Sequence, residues 1–165
     1  MTTTPIRCAL AVATLLGAPA LARAADAPKP DEVLGKLHEA NLKEIEMGKM
    51  AEKNGQSKDV KAFGKMLVRD HTAADKKVKA VAKQEKVDLA AKTPEKADHT
   101  DMGTGADFDK KFAKDMLDDH KKDVDDMKKA RDNTDDPKLK KLLTDVVPVL
   151  EKHQETAQKI VDETK

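Results

Sequence analysis

Between Ser57 and Lys86, apolar or small residues recur at Val60, Gly64, Leu67, His71, Ala74, Val78 and Val81, in steps of 4, 3, 4, 3, 4 and 3. That spacing keeps one face of an α-helix against a partner, whereas a strand would alternate every second residue. A helix with such a seam cannot bury it alone, so the chain must supply companion helices. Composition agrees. Of 165 residues, 38% are Asp, Glu, Lys or Arg and only 2% are aromatic, with no Trp or Tyr. Sheets favour β-branched and aromatic residues, so the fold class is all-α, within one compact domain.

Caps and seams place four helices. The first begins at Pro30 and Asp31 and runs to Asn54-Gly55, a helix C-terminal signal. Ser57 is the expected N-cap of the second, which ends around Lys86. Residues 87–106, with Pro94, Gly103 and Gly105, form a long connection. Phe108, Phe112, Leu117, His120, Val124 and Met127 mark the third helix. After the turn Asn133–Asp136, Asp136 and Pro137 start the fourth, with its seam at Leu139, Leu143, Val146, Leu150, His153, Ala157 and Ile160. The expected architecture is an antiparallel, ferritin-like four-helix bundle. The connection between the second and third helices is long enough either to recross the bundle or to cap one end. Pro148, inside the fourth helix, cannot donate to the Thr144 carbonyl, so a kink is expected there.

The first 24 residues read as a secretory signal peptide. Arg7 is followed by an apolar run from Cys8 to Leu16, a Gly-Ala-Pro break and Ala22-Arg23-Ala24 before Ala25. The run is well short of the ~20 apolar residues that cross a bilayer. The expected organisation is signal peptide 1–24, linker 25–30 and bundle 31–165, in a periplasmic or secreted protein with no stable membrane span after cleavage. Losing Arg7 and Arg23 leaves 30 basic against 31 acidic residues. A near-neutral surface of interspersed charge lacks the counterion-release drive for nucleic-acid binding. The mature chain would have no cysteine, so any metal must be held by His, Met, Asp or Glu.

Four of five histidines fall one per helix: His38, His71, His120 and His153, with His99 in the long connection. His71, His120 and His153 sit on the apolar seams and His38 lies on or beside that of the first helix. His71 lies 14 residues after Ser57 and His120 14 after Ala106, so both fall near mid-helix. Folding about the short turns brings His38 and Glu44 near His71, and His153 near His120. The second and third helices also share an echo, Phe63-Gly-Lys through Asp70-His71 against Phe112-Ala-Lys through Asp119-His120. Asp75 and Asp123 share a face with His71 and His120 and could orient their rings, whereas Asp70 and Asp119 point about 100° from the neighbouring His.

Burying several imidazoles in an apolar core is costly unless they are paired or ligated. Two readings stay open: a hydrogen-bonded polar layer, or a site for a divalent transition metal (Zn, Cu, Fe or Ni) with candidate ligands His38, Glu44, His71, His120 and His153. The dinuclear iron pattern of oxidases wants Glu three residues before His, where this chain has Val68, Leu117 and Leu150. That counts against an oxygen-activating enzyme. Met47, Met50, Met66, Met116 and Met127 are best read as core filler rather than copper ligands.

One resemblance spans roughly residues 31–161. Leu37-His38 through Glu44 to Ala51, Val60 through Asp70-His71 with Asp75, Phe108-Asp109 through Asp119-His120, and Val147-Pro148 through His153 resemble the family labelled domain of unknown function 4142. The resemblance implies a ferritin-like bundle exported by bacteria and no established activity. It singles out Glu44, Asp70, His71, Asp109, Asp119, His120, Pro148 and His153. The expected function is therefore an exported helical bundle with a metal-binding histidine layer and no catalytic residues. The alternatives are a metal-dependent redox or hydrolytic enzyme using that layer, and a metal-free envelope interaction protein. Protein partner and oligomeric state are left open.

Overall fold

A computed structural model of the chain describes residues 27–90 and 102–164. They form four helices: α1 (Pro30–Asn54), α2 (Lys58–Glu85), α3 (Gly105–Asn133) and α4 (Pro137–Glu163). The segment expected to be a signal peptide and His99 lie outside the described residues.

Local chemistry sets the boundaries. The Ser57 hydroxyl accepts from Val60 N at 3.0 Å, and the Asp136 carboxylate accepts from Leu139 N at 2.7 Å. Each side chain satisfies a donor that the first helical turn leaves unpaired. Pro30 and Pro137 open α1 and α4, where a missing N–H costs nothing. Lys86 closes α2 in the left-handed region at φ 57°. α3 starts at Gly105, slightly earlier than its composition suggests. Gly103 and Gly105 adopt φ of 71° and 67°, so they serve the turn into the helix rather than a longer loop. α4 continues through Pro148, which is exposed.

The topology follows from which ends meet. Gly55, in the α1–α2 turn, pairs with Gly105 at the start of α3. Asp109 strengthens the junction, its carboxylate accepting from Gln56 N at 2.9 Å and Ser57 N at 2.7 Å. α2 leads away from that end and α3 begins at it, so the connection from Lys86 to Thr104 joins opposite ends of the bundle. The long crossing of a ferritin-like bundle is thus the one adopted. α1 packs most extensively on α2, and α3 on α4; contact between these two hairpins is sparser. Gly48 and Gly64 allow the closest approach within the first hairpin. A Cβ on Gly64 would lie 2.6 Å from the Gly48 carbonyl oxygen.

The apolar core is divided in two. One cluster, around Leu34, Val78, Val124 and Leu143, fills the end holding the α3–α4 turn. The other, around Phe63, Leu67, Phe108, Phe112 and Met116, fills the end holding the α1–α2 turn. Met47, Met116 and Met127 are buried in these clusters and Met50 and Met66 pack against the second, as core filler should. The remaining buried positions between them are polar: His38, Asn41, Glu44, His71, Asp75, His120 and His153.

Candidate metal centre

His71 reaches the polar layer from α2, His120 from α3 and His153 from α4, each from a seam position one turn after a buried apolar residue, Leu67, Met116 and Leu150 respectively. All three are buried, His153 completely. Their ring centroids lie 5.1 Å (His71–His153), 5.2 Å (His120–His153) and 5.8 Å (His71–His120) apart. One ligand atom from each lies within 4.8 Å of the others, and this is the group of metal-ligating side chains found among the described residues.

The hydrogen bonds around the rings determine what the triad presents inward. His71 Nδ1–H donates to the Asn41 amide oxygen at 2.8 Å, and His120 Nδ1–H donates to the Met116 carbonyl oxygen at 2.9 Å. His153 Nε2–H donates to Asp70 Oδ2 at 3.2 Å. Carbonyl and carboxylate oxygens only accept, so each fixes the proton on the nitrogen facing it. A neutral imidazole has one N–H, and the second nitrogen of each ring is left with a lone pair. These nitrogens are His71 Nε2, His120 Nε2 and His153 Nδ1. His71 Nε2 has no hydrogen-bond partner. His120 Nε2 and His153 Nδ1 face each other at 3.2 Å, where two lone pairs repel unless a proton or cation lies between them.

The rings are held neutral. Burial first, then the neighbouring imidazoles, pushes the pKa of His71 well below the ordinary histidine value. Burial and His153 bring His120 down to about 4. His153 is also lowered by burial, with Asp70 opposing. Asp70 itself remains a strong carboxylate because Arg69 binds its outer side through Nε at 2.7 Å and a second nitrogen at 2.9 Å.

Not every candidate joins the cluster. His38 Nδ1 lies 2.6 Å from Asp75 Oδ1, and Lys79 holds the other oxygen of Asp75 at 2.8 Å. Asp75, expected to share a face with His71, thus serves His38 instead, because α1 packs over that side of α2. Glu44 follows Asn41 by one turn on α1 and is buried outside the triad, with Oε2 unpartnered. Burial and the charge of Asp119 push its pKa up to about 8, so it is protonated at neutral pH. Asp123 is half-buried beside the layer, its pKa raised chiefly by burial. Asp119 turns outward to Lys43 at 2.8 Å. Two positioning residues escape heptad reasoning, Asn41 and Asp70. Asp70 does point away from His71, as adjacent helical residues must, and in doing so meets His153 of the next helix.

Residues 16–160 match the family described as domain of unknown function DUF4142, and the chain belongs to that family. No curated protein and no solved structure matches the chain.

Proposed function

We propose that this protein is an exported helical bundle that binds one divalent transition-metal ion through His71, His120 and His153. The observation that carries the reading is the convergence of three proton-free imidazole nitrogens in a buried layer. Their outer nitrogens are tied to Asn41, Met116 and Asp70, the arrangement in which a neighbouring acceptor fixes the tautomer of a metal-binding histidine. The 3.2 Å between His120 Nε2 and His153 Nδ1 suits the edge of a tetrahedral site, about 3.3 Å for Zn–N bonds of ~2.0–2.1 Å. The third ring needs a shift on the order of 1 Å to close the triangle. Imidazole donors suit Zn, Cu, Fe and Ni. Export rests on the pattern of residues 1–24.

Calorimetric titration of the metal-free protein with Zn, Cu and Ni at pH 7.5 and 5.5 tests this reading. Stoichiometric binding is expected at pH 7.5 and should persist at pH 5.5, because burial keeps the triad imidazoles proton-free below the ordinary histidine range and few protons compete with the metal for them. It should be lost in the His71→Ala, His120→Ala double variant. Undiminished binding in that variant, or none in the unaltered protein, would leave a hydrogen-bonded polar layer as the better account.

A further inference from the structure

Protein interiors leave few spaces larger than a water molecule. Beside the triad, however, residues from all four helices wall a cavity of about 340 Å³, within the ~300–1,000 Å³ range of small-molecule sites. Leu37, Met127, Val146 and Leu150 make much of its wall apolar. It stays wide because Ala40 and Ala74 put methyl groups where larger side chains would fill it. Four aspartates and three lysines also belong to the lining.

The pairing of those charges singles out one of them. Lys77 and Lys122 are paired with Asp145 (3.8 Å) and Asp126 (3.0 Å), and Asp70 is held by Arg69 and His153. Lys36 and Asp123 are left, neither side chain with an ion pair or hydrogen bond among the described residues. The two are not equivalent. Lys36 is exposed, so water solvates its ammonium group. Asp123 is half-buried, so it loses part of its hydration and nothing in the protein replaces it. Burial accordingly holds its pKa above the ordinary carboxylate value.

A cation with N–H donors supplies what Asp123 lacks, a charge-assisted hydrogen bond. A strongly hydrated inorganic ion gains little from one carboxylate in apolar surroundings, whereas an ammonium head on a hydrocarbon body matches both the carboxylate and the wall. We infer that the cavity admits a small organic amine in its protonated form, whose ammonium group donates to Asp123 and whose apolar body lies against Leu37, Val146 and Leu150. This site stands apart from the metal reading, since none of the triad's inward nitrogens takes part in it.

Calorimetric titration of the metal-free protein at pH 7.5 with hexylamine, 1-hexanol and ethylamine separates the head from the body. Hexylamine should bind at one site per chain and at least about tenfold more tightly than hexanol, the usual strength of a hydrogen bond to a charged group. Its advantage over ethylamine should also be at least about tenfold, since each buried methylene strengthens binding roughly fourfold. Asp123→Asn should remove the preference for the amine over the alcohol. Ala74→Leu, or Val149→Phe should the first variant not fold, narrows the cavity and should weaken both six-carbon ligands. Three results on the unaltered protein would each overturn the inference: no binding of hexylamine, equal affinities for hexylamine and hexanol, or equal affinities for hexylamine and ethylamine. So would an amine preference that survives Asp123→Asn, or hexylamine binding untouched by a filled cavity.

Discussion

Asp70 shows how one residue couples the surface to the interior. Its carboxylate is held by Arg69 outside and accepts from His153 inside, so it fixes which nitrogen of His153 faces the triad. Replacing it with Asn removes the charge and permits the opposite tautomer. Asp70→Asn should weaken zinc about 10- to 100-fold, the usual effect of losing a partner behind a ligand, measured by competition with a chelator of known affinity. A second expectation concerns pH in the metal-free protein. The triad histidines have depressed pKa values, so the unfolded chain takes up protons that the native state refuses. Their contribution is intact above about pH 6.5 and is lost as pH falls toward the His120 value of about 4. Glu44 has the opposite sign: raised to about 8, it favours the native state fully below the ordinary carboxylate range and loses that contribution as pH rises toward 8. Each group contributes a slope of up to about 1.4 kcal/mol per pH unit. Urea midpoints of the metal-free protein should therefore peak near pH 6.5, and Glu44→Gln should flatten the alkaline side and steepen the rise on the acid side, where the Glu44 and histidine slopes oppose each other. The histidine positions were legible in the sequence because a seam position is a local property. Their partners were not, since the pairs Asp70–His153 and His38–Asp75 depend on how α2 is rotated against α4 and α1.

The elements were far more legible. Ser57 and Asp136 cap the helices whose starts they mark, and Asn54 ends α1 before Gly55 as composition implied. The start of α3 was the exception, because two glycines that spell a loop also fit the positive-φ approach to a helix. What the pattern of α1 and α2 did not reveal is the meaning of Gly48 and Gly64, since Gly64 reads merely as a small seam residue. In an exposed helix, alanine would improve on glycine by about 1 kcal/mol. Here a Cβ on Gly64 meets the Gly48 carbonyl at 2.6 Å and the Ala51 Cβ at 2.8 Å, so the helices must part. Gly64→Ala should lower stability by about 1–3 kcal/mol, the cost of overpacking. The cavity variants Leu67→Ala and Leu150→Ala, at positions 0% and 5% exposed, should each cost about 2–5 kcal/mol. Chemical denaturation of the three variants checks both statements; a Gly64→Ala protein more stable than the unaltered one would mean that α1 and α2 do not approach so closely.

Over the whole molecule, the polar layer interrupts an otherwise apolar core at the level where the two hairpins meet. His71 comes from the first hairpin and His120 and His153 from the second, so an ion on all three would staple them together across their sparser contact. Zinc at about 100 times its dissociation constant should then stabilise the native state by ~2.7 kcal/mol and raise the melting temperature by several degrees, an effect His71→Ala should abolish. The most direct test of the triad as a metal centre is X-ray absorption at the zinc edge of protein carrying one zinc per chain. The spectrum should show nitrogen donors at ~2.0–2.1 Å with the multiple scattering of three imidazoles. A zinc shell without imidazole scattering, or one unchanged in the His71→Ala, His120→Ala variant, would contradict it.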